Sequence, residues 1–328
     1  MLTVLDFVHL PYTPDLTPAG IHHACRSFPP KDDHLGKALS GRLHRQAART
    51  AAELAFRRHL SALHLPYQNW AEAPFSTPQQ VDVSLGNRRC VLQSLLISQE
   101  SQVHRLQQDS SRLLSAPALV PEEELFSSTH SDLDLLIFTC VLASSLTGSQ
   151  AIRRVQDARE ALFLFHPLPP AWFRPALWAP LGDLTIWHEQ PCTLNLELGG
   201  LDAQRAFVTE QFSLAAGEKY RASQTYFTLA YLHSTSLPPG RLGVQSQRLK
   251  QTHWIQPMEW DNLWLSGAEI ILAGWISRGS FRQQAARLYR GGGSFLSPRT
   301  SSPHCWLPVQ QLRPMQELFD SVRQWQGD

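Results

Sequence analysis

Between Leu39 and Leu63 the chain runs twenty-five residues without proline and with a single glycine, Gly41. Leu43, Ala47, Ala51, Leu54 and Ala55 recur there at helical spacing, and Phe56, Leu60 and Leu63 extend the stripe. The pattern predicts a helix with one apolar face. The period then changes. Val81-Asp82-Val83-Ser84-Leu85 alternates as a half-buried strand does, Gly86-Asn87 suits a hairpin turn, and Arg89 to Ser98 is apolar on both faces, as a central strand should be. A chain that opens this way must build a sheet against a long helix, and this excludes an all-helical or an all-β fold.

The same reading continues with a helix over Glu100–Leu114, a buried strand over Asp134–Ala143, a helix over Ser149–Ala158 and a strand over Ala161–Phe165. The proline-rich segment HPLPPAWFRPALWAPLGD reads as a connector. From Leu184 to about Val244 short alternating stretches separated by turn signals predict an antiparallel sheet or sandwich. Strands near His253–Pro257 and Ile270–Ile276, a helix over Ser280–Leu288, the loop RGGGS and a helix over Pro314–Trp325 close the chain. Residues 1–36 look irregular. The expected organisation is an α/β domain over 1–170, a β-rich domain or insertion over 171–250, and a C-terminal segment over 251–328 that completes the fold.

Composition narrows the function classes. With 43% apolar and 17% charged residues, the 328-residue chain is long enough for one large core or two modest ones, which excludes disorder. Its 29 basic and 28 acidic side chains leave a formal charge of +1, so contacts with nucleic acid must come from local patches. Only Lys31, Lys37, Lys219 and Lys250 are lysines; the other basic residues are arginine, which forks onto phosphate and carboxylate. The five scattered cysteines, without a C-x-x-C pair, argue against a zinc ribbon or a disulfide scaffold. The opening residues do not read as a signal peptide, and no apolar run is long enough to span a membrane. A cytoplasmic setting is expected.

The order helix with an acid, hairpin with an acid, then central strand is a known way to gather carboxylates round a divalent metal for phosphodiester cleavage. In this region the residues resemble the PD-(D/E)xK restriction-endonuclease-like superfamily, whose motif reads approximately D-V-x-L-x-G-x-R-x-D-x-K-S after a helix carrying Glu. The ending ILAGWISRGSFRQQA, followed by CWLPVQQLRPMQELF, is similar to the closing segments of such proteins. The resemblance implies a mixed sheet flanked by helices, an α/β (α+β) fold. It places Glu53 and Asp82 at the first two acidic positions, as the metal and catalytic residues. It places Val91 at the third acid and Gln93 at the lysine, where Gln93 is vestigial.

Val91 offers no oxygen ligand and Gln93 handles no proton. The resemblance therefore implies a protein that holds nucleic acid, DNA in the first place, without cutting it. Such a protein needs no cofactor, or Mg²⁺ only if a residual site persists. An active Mg²⁺-dependent endonuclease with a displaced acid such as Glu72 or Glu100 is one alternative. A structural or assembly subunit working through its β-rich half, with a protein partner or a second copy of the chain, is another. Glu53 also stands one helical turn from Arg49 and from Arg57, so ion pairing accounts for it equally well. Asp82 can simply face water, and Gln93 can serve the packing of its strand.

Two arginine groups are the candidate phosphate contacts. Arg42, Arg45 and Arg49 share a helical face, and Arg278, Arg282, Arg287 and Arg290 lie in an acid-free stretch leading into Gly291-Gly292-Gly293. That loop lacks the Lys-Ser/Thr of a nucleotide-binding P-loop. His22, His23 and Cys25, or His304 with Cys305, make only incomplete metal spacings. Among the ten tryptophans, Trp254, Trp260, Trp264 and Trp275 are candidates either for base stacking or for the core.

Overall fold

A computed structural model describes residues 2–27, 38–69, 83–146, 148–289 and 302–325. It is mixed α+β and separates into two units. The first combines Met1–His23, His44–Ser144 and Leu265–Asp328, and the second combines Ala24–Leu43 with Ser145–Trp264.

The first unit holds strand β1 (Val8–Leu10), helix α1 (Leu16–Arg26) as far as His23, α2 (Ala38–Ala62) from His44 onward, β2 (Gln68–Asn69), β3 (Val83–Leu85), β4 (Arg88–Ile97) and α3 (Glu100–Gln108). Strand β5 (Pro117–Pro121), the single turn α4 (Glu122–Leu125) and β6 (Leu135–Ser145) come next. The β2–β3 and β3–β4 pairs are antiparallel, and β4 runs parallel to β6 with α3 between them in sequence. Gly86 and Asn87 turn the hairpin with positive φ of 53° and 59°, a conformation that glycine and asparagine tolerate best. In β6 the nine residues from Leu135 to Ala143 are buried without a break, as befits a central parallel strand covered on both faces. The helix expected to reach Leu114 ends at Gln108 and yields to a 3-10 segment, Ser110–Ser115, whose first turn Asp109 caps.

Two cores sandwich this sheet. Ala48, Ala51, Ala52, Ala55 and Phe56 of α2 pack with Cys90 and Leu92 of β4 on one face. Val103 and Leu106 of α3 pack with Val91, Leu136 and Phe138 on the other. The segment expected to be irregular contains α1, which carries Pro18 in its first turn, where a missing N–H leaves no intrahelical bond unmade. At Gly20 a Cβ would lie 2.3 Å from the Ala47 carbonyl oxygen, so only glycine lets α1 cross α2 this closely.

The second unit begins with helix α5 (Ser149–Asp157), strand β7 (Leu164–Pro167) and the short α6 (Pro170–Phe173). It continues with β8 (Leu184–His188), β9 (Leu194–Leu201), β10 (Phe207–Leu214), β11 (Lys219–Arg221), β12 (Thr228–Ser234), β13 (Leu242–Ser246), β14 (Thr252–Ile255) and β15 (Asp261–Asn262). They form a five-stranded sheet in the order β10-β9-β12-β7-β15 and a four-stranded sheet in the order β11-β8-β13-β14, with antiparallel pairing throughout. Leu196, Leu198, Leu229 and Leu232 of the first sheet meet Ile186, Leu242, Val244 and Ile255 of the second in one core. The β-rich block is thus wider than 171–250. The segment near Phe165, expected in the α/β layer, pairs with β12 and β15 in the sandwich.

Chain and sheet then return to the first unit. Strand β16 (Leu265–Ser277) pairs antiparallel with β1 and lies beside β6, giving the order β1-β16-β6-β4-β3-β2. The β-rich block is therefore inserted between two neighbouring strands of one sheet. Helix α7 (Arg278–Gln284), β17 (Ala286–Leu288), β18 (His304–Pro308) and α8 (Met315–Gln324) complete the unit, with β18 paired to both β17 and β5. Gly274, at φ 154°, leaves room for the Arg313 carbonyl, and Trp275 exchanges two backbone hydrogen bonds with Arg313. These contacts lock the Gly-Trp-Ile segment to the entry of α8.

Candidate functional site

Strand β4 carries Arg89, Val91 and Gln93 on the face turned to the α3 core, by alternation from Cys90 and Leu92 on the α2 face. Val91 is buried among apolar neighbours. Gln93 Nε2 donates to Glu124 Oε1 of α4 at 2.8 Å, and the Gln93 carbonyl accepts from the Thr139 hydroxyl. Beside Glu124 stands His130. Burial first, then the Arg89 and Arg278 cations, hold its imidazole below the ordinary histidine range. This polar cluster occupies the sheet face where the sequence expectation put the third acid and the lysine.

Glu53 is elsewhere. It sits on α2, which packs against the opposite sheet face, and its buried carboxylate accepts from Arg49 Nε at 2.9 Å. The ion-pairing account of Glu53 is the one this geometry fits. Asp82 and Glu72 lie outside the described residues, and Glu100 opens α3 as an exposed first-turn acid. Among the described residues no group of three or more His, Cys, Asp or Glu is arranged to hold a metal ion. Val91 has no ligand atom and Glu53 is committed to Arg49 on the other face. Of the two residues that the resemblance gives to Mg²⁺, only Glu53 is among the described residues, and its carboxylate is paired with Arg49. Cys25 is fully buried, and His304 Nδ1 is engaged by the Ser302 carbonyl.

The arginine expectations need correction at Arg278. Its side chain is buried, and the guanidinium donates to the carbonyls of Leu125 (2.6 Å), Ser127 (2.6 Å), Glu124 (3.4 Å) and His130. It pins the 124–130 loop and offers nothing to a phosphate. Arg282 pairs with Asp132 at 3.1 Å, both exposed, and exposed Arg287 pairs with half-buried Glu122 at 3.1 Å. The stretch that is acid-free in sequence is laid by the fold against acids from 122–134. Arg290 and the triple glycine lie outside the described residues. On α2, Arg45 is exposed, Arg42 is half-buried and Arg49 is held by Glu53.

The sandwich holds polar groups that sequence reasoning did not single out. Glu197 of β9, only 3% exposed, accepts from Tyr231 Oη at 3.0 Å and Gln211 Nε2 at 2.8 Å. It borders an open cavity of about 460 Å³ lined also by Asn195, Phe212, Ser213 and His233. His166 and His253 meet Nε2 to Nε2 at 3.1 Å, and the His166 Nδ1 faces the Glu259 carbonyl at 3.1 Å. Burial pushes the His166 imidazole down to about 4. Donation from Nδ1 to the carbonyl then leaves its Nε2 to accept from His253, which satisfies both rings in their neutral forms. Glu197, His166, His233 and His253 are scattered over four strands and carry no local spacing signal, so only the pairing of the strands could reveal them.

Comparison with protein-family models, with curated proteins and with solved structures yields no match. No helix among the described residues is long and apolar enough to cross a membrane.

Proposed function

We propose that this chain is a nuclease-like protein that holds nucleic acid, DNA in the first place, without cutting it. The observation that supports the reading lies on β4, where the positions that the resemblance gives to the third acid and the lysine carry Val91 and Gln93. Helix α2, the antiparallel β3–β4 hairpin and the central position of β4 are compatible with the helix, hairpin and central strand of the restriction-endonuclease-like resemblance. On β4, meanwhile, Val91 is buried and Gln93 is bonded to Glu124. Arg45 and the ion-paired Arg282 and Arg287 are the contacts this reading assigns to phosphate. Surface ion pairs contribute only about 0–1 kcal/mol, so a phosphate can replace Asp132 or Glu122 at little cost.

The test is fluorescence anisotropy of a labelled short duplex against salt concentration, with Mg²⁺ present and plasmid integrity followed in parallel. Binding that weakens steeply as salt rises, with the plasmid left intact, is expected. Affinity unchanged between low and moderate salt, or plasmid nicking, overturns the reading. A second reading has its own observation. Phe126 and Leu133 are both exposed large apolar side chains, and this reading assigns them to contact with a protein partner. Capture of a partner that Phe126→Ser abolishes would favour it.

A further inference from the structure

The four-stranded sheet of the sandwich turns Ile186, Leu242, Val244 and Ile255 inward to the core. By alternation its outer face carries Thr185 and Trp187 of β8, Arg241, Gly243 and Gln245 of β13, Thr252 and Trp254 of β14, and Lys219 and Arg221 of β11. The strand register sets Lys219, Trp187, Gly243 and Trp254 in one row across all four strands. At the strand spacing of about 4.8 Å this row is about 14 Å long.

The two indoles meet edge to face over Gly243, with ring centroids 5.6 Å apart and planes at 79°. A Cβ at position 243 would lie 2.7 Å from the Trp187 ring and 3.1 Å from that of Trp254, so glycine is what lets the indoles close over the strand. The Arg241 guanidinium lies 4.2 Å from the centre of the Trp254 ring, and Lys219 Nζ lies 5.7 Å from that of Trp187. Both tryptophans are partly exposed, while Lys219, Arg221, Arg241 and, in the turn between β13 and β14, Lys250 are exposed. The acids nearby include Asp183, exposed just before β8, Glu218, beside Lys219 in sequence, and Glu189, 3.8 Å from Arg241 in a pair open to solvent on both sides.

Partly exposed indoles flanked by cations form a surface on which bases stack while the cations meet the backbone, a combination that binds single strands with little regard to sequence. We propose that this outer face of the β-sandwich binds single-stranded nucleic acid, with bases on Trp187, Trp254 and the Arg241–Trp254 stack and phosphates on Lys219, Arg221 and Arg241. The charge selects among occupants: a neutral glycan would use the indoles without needing the surrounding cations, and an acidic peptide would use the cations without needing the indoles. The proposal stands apart from duplex binding by the nuclease-like unit, because no residue of that unit takes part.

Anisotropy of a labelled oligothymidylate, with the duplex of the same length measured beside it, tests the proposal. Trp254→Ala is expected to weaken oligothymidylate binding about tenfold, the loss of one stacked base, and to leave duplex binding unchanged. The Lys219→Glu, Arg241→Glu double variant keeps both indoles and guards against a fold defect in the first. It is expected to weaken the oligothymidylate by at least as much and to reduce the slope of log affinity against log salt by about 1.4, for two lost phosphate contacts. The proposal is overturned if the native chain does not bind oligothymidylate, if both variants bind it as the native chain does, or if a neutral glucan or an acidic peptide binds this face in its place. Loss of duplex binding alone would strike only at the nuclease-like reading.

Discussion

Arg278 shows how far a side chain's neighbours outweigh its type. In sequence it heads a run of arginines; in the fold it is a buried hub whose donors meet four carbonyls of one loop. Arg278→Met is expected to destabilise the protein by about 2–4 kcal/mol, because hydrogen bonds from a charged donor are lost and carbonyls are left without partners. Denaturant titration measures this, and a midpoint shift as small as that of Arg282→Met would contradict the hub. His166 offers a test by pH. Its folded-state value lies near 4, against about 6.5 in an unfolded chain, so between those limits only the unfolded state takes up the proton. Stability is complete above pH 6.5 and falls as pH drops through the window, by a loss on the order of 3 kcal/mol below pH 4. In His166→Gln the dependence of melting temperature on pH between 4 and 6.5 should flatten.

At the scale of elements, close approach decides more than propensity. Helix α1 carries a proline and a glycine that ordinarily mark a loop, yet Pro18 stands where no N–H is required and Gly20 stands where no Cβ fits. Gly20→Ala would improve helix propensity, but it forces a Cβ against the Ala47 carbonyl, backbone that cannot swing aside. A net destabilisation of about 1–3 kcal/mol is expected in thermal melts, and a stabilised variant would mean that the helices separate easily. The central strand and α2 were legible because their apolar patterns are long, and the hairpin because Gly86-Asn87 marks its turn, although Ser84 is buried with Val83 and Leu85 where a half-buried strand was expected. Strand β7 was placed in the wrong sheet because the apolar run Ala161–Phe165 fits any buried strand, and only pairing with β12 decides which.

For the whole molecule, the proposed nuclease-like reading turns on strand β4, where Val91 is buried and Gln93 is bonded to Glu124. Restoring the motif as Val91→Asp with Gln93→Lys is expected not to produce plasmid cleavage in Mg²⁺. Glu53 remains paired to Arg49 on the other sheet face, and an aspartate replacing buried Val91 costs several kcal/mol, about 2–5. Nicking by the double variant would show that the site needs no help from Glu53. By itself the sequence determined the helix, hairpin and central strand, the change to short alternating strands after Leu184, and the presence of Val91 and Gln93, neither of them an acid or a lysine, on the central strand. Each rests on local periodicity or residue chemistry, which neighbours along the chain suffice to express. Only the tertiary structure decided that the β-rich block is inserted between β6 and β16, and that Arg278, Arg282 and Arg287 lie against carbonyls and acids from 122–134. It alone set Trp187 and Trp254 side by side over Gly243. These depend on strand order and register, which bring together residues tens of positions apart, and no pattern read within one segment contains that information.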